Sequence, residues 1–163
     1  MSTAPPTPAL PSPALPGRVA GIDYGTVRIG IAVSDPARRL SSPYATYARA
    51  GPDEDARYFR QFAAEERITL FVVGLPVHLD GRESEKSAEA RQFGRWLADV
   101  TGVPVELFDE RFTSRQAEDL LLDAGMTRKR RKGRLDKVAA QVLLAAYLES
   151  QVRGSRPPGP LDD

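Results

Sequence analysis

The stretch GIDYGTVRIGIAVSD, Gly21 to Asp35, decides how the rest of the chain is read. Val19 to Asp23 is a short apolar run, Gly25 and Thr26 make a turn, and Ile29 to Ser34 is a second, β-branched run. This pattern predicts an antiparallel hairpin. Its first strand ends in an acid. A charge there is costly unless it has a task, so Asp23 is a candidate functional residue; the alternative is a turn-forming acid before Tyr24-Gly25.

Outward from the hairpin, a third strand is expected around Ser42 to Tyr47. Gly51-Pro52-Asp53 breaks the chain and offers an N-cap, with Glu54 and Asp55 complementing the dipole of a helix that buries Phe59, Phe62 and Ala63. Ile68 to Val73 is almost continuously apolar, as suits a parallel strand covered on both faces, and it ends at Gly74-Leu75-Pro76. A polar loop through Leu79-Asp80-Gly81 leads to a helix with Phe93, Trp96, Leu97 and Val100 inward. Val103 to Phe108, with Pro104 at its start, is the last strand. Thr113 with Gln116 forms a capping box opening another helix that Gly125 ends. A basic run follows, then a final helix with Leu135, Val138, Ala139, Val142, Leu143 and Ala146 along one stripe.

At 163 residues the chain suits one domain with a single sizeable core. No apolar run approaches the roughly 20 residues needed to cross a bilayer, so a soluble, cytoplasmic protein with no membrane partner is expected. The chain has no cysteine and one histidine, His78. Thiolate nucleophiles, cysteine-rich zinc sites and a two-histidine acid/base pair are therefore excluded. Carboxylates gathering hard divalent cations remain. Residues 1–16 hold six prolines and no charge, and three prolines follow Gly154. Residues 1–17 and 154–163 are thus expected to be disordered, with 18–153 as the folded domain.

Other candidates can be weighed on residues alone. Asp109 and Glu110 end the last strand on opposite faces, so only one can enter a shared site. Asp136, expected to open the final helix, reads equally as a functional group and as an acid favoured by the helix dipole. Asp35, before Pro36, reads as a turn residue. Arg111 has two equal readings, a pair with Asp109 or a contact to substrate phosphate. His78 reads as a solvated loop residue rather than one that positions water.

Four groups of residues recur in a familiar order. They are Gly21-Ile22-Asp23-Tyr24-Gly25-Thr26 with Arg28-Ile29-Gly30; Val73-Gly74-Leu75-Pro76 with Asp80-Gly81; Asp109-Glu110-Arg111 before Thr113-Ser114 and Ala117-Glu118; and Leu135-Asp136 before Ala139-Ala140. Over residues 18–150 the chain resembles the YqgF family, also called RuvX, described as Holliday junction resolvases and as nucleases for the precursor of 16S ribosomal RNA. The resemblance implies an α/β, ribonuclease H-like fold, a mixed five-stranded sheet flanked by helices in the order β-β-β-α-β-α-β-α. It selects Glu110 over Asp109 and supports function for Asp136, so that Asp23, Glu110 and Asp136 would be catalytic and hold two Mg²⁺ or Mn²⁺ ions. Val27 departs from the family, whose members often carry a basic residue there.

The charge distribution points to the partner. Residues 128–137 carry Arg128, Lys129, Arg130, Arg131, Lys132, Arg134 and Lys137 against Asp136, a net +6 that leaves the remainder at −5. With Arg28, the run Arg130, Arg131, Lys132 and Arg134 is expected to grip phosphates with little base specificity. By the family resemblance, the first-choice substrate is the 5′ end of the 16S ribosomal RNA precursor, on its own or in ribosomal particles, and a monomer would suffice. The second is a branched DNA junction, which needs a homodimer for two coordinated cuts. Two other classes are an actin-like ATP-binding module, which the absence of a second Asp-x-Gly hairpin opposes, and a non-catalytic ribosome-assembly factor.

Overall fold

The computed structural model describes residues 16–76, 84–110 and 128–155, the last segment with side chains from 136 to 152. Its elements are β1 (Arg18–Asp23), β2 (Arg28–Ser34), β3 (Ser41–Ala48), α1 (Pro52–Glu65), β4 (Ile68–Leu75), α2 (Glu85–Thr101), β5 (Val105–Asp109) and α3 (Arg128–Ser155). The strands form one sheet in the order β3-β2-β1-β4-β5. β1, β2 and β3 are antiparallel neighbours, whereas β4 runs parallel to β1 and β5 parallel to β4. This is the mixed α/β sheet expected from the sequence, with Asp23 at the end of its central strand.

The two-residue period of the strands divides the core. Ala20, Ile22, Ile29, Ile31, Phe71 and Val73 face α1 and α2, where they meet Phe59, Phe62, Phe93 and Leu97. Phe59 sits at the middle of that layer, edge-on to Phe71 and Phe93 at centroid distances of 6.4 and 5.9 Å. Val19, Ala32, Leu70 and Val72 face α3, meeting Ala140, Leu144, Tyr147 and Leu148. This second layer is thin. A Cβ on Gly21 would lie 2.8 Å from the Leu144 Cβ and 2.9 Å from the Ala140 carbonyl oxygen, and one on Gly30 would strike the Asp136 carbonyl. Glycine is therefore what lets α3 ride directly on the strands.

Several expectations are corrected. Gly51, at φ 104°, is the N-cap of α1 without any side-chain cap, and Pro52 occupies the first turn. Asp55 does more than complement the dipole. It is fully buried and accepts from the Tyr47 hydroxyl at 2.7 Å, the Ala50 N–H at 2.9 Å and the Arg49 Nε at 3.2 Å. Trp96 is half-buried rather than core, edge-on to Phe59. The basic run is helical: Arg128 to Arg134 form the first two turns of α3, consistent with the helix propensity of arginine and lysine. Asp136 consequently lies in the third turn instead of at the helix start. Val142 and Leu143 of the expected stripe are buried, and the buried face is wider than the stripe, taking in Ala140, Leu144, Tyr147 and Leu148; the Tyr147 hydroxyl reaches Glu106 at 2.7 Å.

Gly17 belongs to the fold rather than the tail, its carbonyl accepting from Arg38 Nε at 2.9 Å, and α3 continues two residues past 153. His78, Asp80, Gly81, Arg111 and the helix expected from Thr113 to Gly125 lie outside the described residues, as do 1–15 and 156–163.

Candidate active site at the strand ends

Alternation along the strands determines which acids meet. Gly21 packs on α3, so Asp23, two residues on, emerges on the same face. Glu106 and Phe108 of β5 both contact Tyr147 of α3, which puts Glu110 on that face and Asp109 on the other. The residues beside Asp23 are glycines: Gly30 opposite it on β2, and Gly74 of β4 one step beyond the paired Ile22 and Val73. A Cβ at Gly74 would collide with the Glu110 carboxylate, and one at Gly30 with the Asp136 backbone. Two missing side chains thus admit the two other acids to the neighbourhood of Asp23.

Asp23 and Glu110 are hydrogen-bonded to each other. Burial, then the charges of Glu110 and Asp136, then this hydrogen bond raise the Asp23 pKa from the ordinary carboxylate range to about 8. Glu110 is also raised, by burial and by Asp109, while the bond from Asp23 and the charge of Lys86 oppose the rise. The two carboxyls therefore titrate as a pair, and burial with mutual repulsion favours a proton shared between them.

Asp136 stands apart from this pair. Its i, i+4 relation to Ala140 and then Leu144 places it on the sheet-facing side of α3. Burial raises its pKa and Arg28 opposes the rise. The Arg28 Nε lies 3.7 Å from its carboxylate, so Arg28, expected on substrate phosphate, faces an acid of the site. Among the described residues no three acids converge closely enough to hold one ion. The arrangement is a proton-sharing pair with a third acid beside it.

The pair suits a hard divalent cation. Both donors are oxygens, and burial together with mutual repulsion penalises their ionised forms, penalties that a cation would relieve on displacing the proton.

The acids open into a cleft of about 350 Å³ whose other walls include Tyr24, Thr26, Pro76, Lys86 and Glu89. Sequence reasoning missed Lys86 and Glu89, although Ser84 and Ser87 form the capping box that starts their helix. It also missed Arg49, which donates to the Tyr24 hydroxyl at 3.3 Å while held by buried Asp55. Of the expected phosphate contacts, Arg111 lies outside the described residues. Arg130, Arg131, Lys132 and Arg134 have described backbone only, within the helix that carries Asp136.

A family model described as RuvX, Holliday junction resolvase, matches residues 17–150. A protein of Rhodopirellula baltica is 52% identical over 134 residues, covering 82% of this chain and 78% of its own. One of Syntrophomonas wolfei is 39% identical over 132 residues, 81% of this chain and 94% of its own. Both are named, provisionally, pre-16S rRNA nucleases. Among solved structures, Thermus thermophilus RuvC bound to a Holliday junction substrate aligns with TM-score 0.54 at 17% identity, over 87% of this chain and 99% of its own. The fowlpox virus resolvase with junction DNA aligns with TM-score 0.52 at 13% identity, over 83% and 99%. At these identities the structural likeness establishes the fold, which is that of the RuvC-like resolvases.

Proposed function

The chain belongs to the RuvX family and is a hydrolase of nucleic-acid phosphodiester bonds, and we propose that it is a metal-dependent nuclease that matures the 5′ end of the 16S ribosomal RNA precursor. The observation that carries the chemistry is the hydrogen-bonded, proton-sharing pair Asp23 and Glu110 at the C-terminal ends of β1 and β5. The names of the curated relatives favour the RNA substrate. That substrate implies a cytoplasmic setting.

Asp23 and Glu110 would hold Mg²⁺ or Mn²⁺, with Asp136 of α3 beside the pair. A bound ion supplies Lewis-acid activation of water and stabilises the leaving oxygen of an in-line displacement. The residues of the chain do the rest. Gly74 keeps space for the Glu110 carboxylate, and the pair would give up its shared proton on holding a cation. The basic turns of α3, on the helix that carries Asp136, would hold the polyanion, so binding weakens steeply with salt.

The test compares the parent with Asp23→Asn and Glu110→Gln on a precursor RNA fragment and on a four-way DNA junction, each with Mg²⁺ and with Mn²⁺. Cleavage of the RNA by the parent and loss in both variants, with binding retained, is the expected result. Paired symmetric cuts in the junction by a dimer, with the RNA left intact, would instead establish the resolvase reading that the family description favours.

A further inference from the structure

Among the described residues, Lys86 is the one lysine on the wall of the cleft that holds Asp23 and Glu110. Its position is fixed by the helix start. The Ser84 hydroxyl accepts from the Ser87 N–H at 3.3 Å, the Ser84 N–H donates to the Ser87 hydroxyl at 3.2 Å, and Ser87, fully buried, donates to the Pro76 carbonyl. The first turn of α2 is thereby fastened to the end of β4, and Lys86 sits within that turn.

The ammonium itself is exposed and has no hydrogen-bond or ion-pair partner among the described residues, although Glu85 and Glu89 flank it on the same helix. A surface lysine with acids at i−1 and i+3 ordinarily gains little from pairing, about 0–1 kcal/mol, so nothing local holds it back from a ligand. Its charge reaches Glu110 across the cleft. An anion placed against the Asp23–Glu110 pair would therefore share the cleft with this cation.

We infer that Lys86 is a catalytic residue whose ammonium binds a non-bridging oxygen of the scissile phosphate and stabilises the charge that gathers there during displacement. The inference rests on the nuclease reading and assigns a role to a residue lining the same cleft as the acids. A contact that strengthens as charge develops lowers the barrier more than it tightens binding. Lysine serves as a point charge here, so another cation of similar reach should substitute in part.

The experiment uses the full chain with Mg²⁺, on the precursor RNA fragment and the four-way junction, at saturating enzyme under single-turnover conditions. Lys86→Met and Lys86→Gln should cut about 100-fold more slowly, the size of effect that follows loss of one charge-stabilising donor, while Kd changes less than about threefold. Lys86→Arg should recover most of the rate. The melting temperature should be unchanged in all three. A parent that cuts alongside a Lys86→Met variant within about threefold of it overturns the role of Lys86 and leaves the nuclease reading standing. A loss confined to Kd, with the saturated rate intact, also overturns it, reducing Lys86 to a binding contact. A parent that cuts neither substrate overturns both readings.

Discussion

Asp23→Asn should make the metal-free protein more stable at alkaline pH. In the folded state Asp23 has a pKa of about 8 against 3.8 for a free carboxyl, because it is buried beside Glu110 and Asp136. A carboxyl raised in the folded state contributes its full stability below the unfolded value. Between pH 3.8 and about 8 the unfolded chain ionises first, and that contribution is lost. Each unit of displacement is worth about 1.4 kcal/mol, and water reaching the part-open site reduces the total, so a net penalty of about 3 kcal/mol is expected near pH 9. Asparagine keeps the shape and a donor towards Glu110 without the ionisation. For a domain of this size the gain corresponds to a melting temperature roughly 10 °C higher.

The assay is thermal unfolding of parent and variant in EDTA at pH 4 and pH 9. The two should melt together at pH 4 and diverge at pH 9. Millimolar Mg²⁺ should then raise the parent and not the variant, since a ligand of the folded state stabilises in proportion to its occupancy. A variant no more stable than the parent at pH 9, or one stabilised equally at both pH values, would refute the reasoning.

Gly74→Ala and Gly30→Ala should fail differently. The first displaces the end of a flexible carboxylate, so cleavage should fall at least about tenfold with little change in urea midpoint; the second must lift the α3 backbone, costing about 1–3 kcal/mol. Asp55→Ala should cost about 2–4 kcal/mol by urea unfolding, because it strands buried donors of Tyr47, Arg49 and Ala50. Burial works to raise the Asp55 pKa, but the Ala50 N–H, Tyr47 and Arg49 outweigh it and hold the acid below its usual range. Its contribution should therefore be present above pH 4 and lost as the pH falls further, seen as a smaller gap between parent and variant in acid. Alanine at Arg130, Arg131 and Lys132 should flatten the dependence of log affinity on log salt by about 2–3 for duplex DNA, leaving the saturated cleavage rate unchanged.

The sheet was legible because its strands obey one rule at a time. β1, β2 and β4 are short, β-branched and bounded by glycine or proline, and the sheet assembles as their pattern predicts. Asp23 was legible for the same reason, as a charge ending a strand destined for the centre. Glu110 was ambiguous by period alone, since only the contacts of Glu106 and Phe108 with Tyr147 reveal which face of β5 meets α3. Asp136 was misplaced because the run of arginine and lysine before it reads equally as a loop and as a helix. Lys86 was invisible: no local pattern says that the first turn of α2 borders β4, a fact that depends on Ser87 reaching Pro76. The buried role of Asp55 was hidden behind its sufficient explanation as a first-turn acid.

The two faces of the sheet divide the work. The face against α1 and α2 holds the aromatic layer around Phe59, and each ring buried there contributes on the order of 2–3 kcal/mol. The opposite face gives up side chains at Gly21, Gly30 and Gly74, each glycine costing roughly 0.5–1 kcal/mol in a strand, and carries buried acids whose charges oppose folding. Stability built on one side thus tolerates strain on the other. The glycines that thin the layer also fix the register of α3 on β1 and β2, and so the height at which Asp136 meets the strand ends. The basic turns lie on that same helix. Any polyanion they hold is registered against Asp23 and Glu110 by the Gly21 and Gly30 contacts, which makes the glycine floor as much a part of the site as the acids above it.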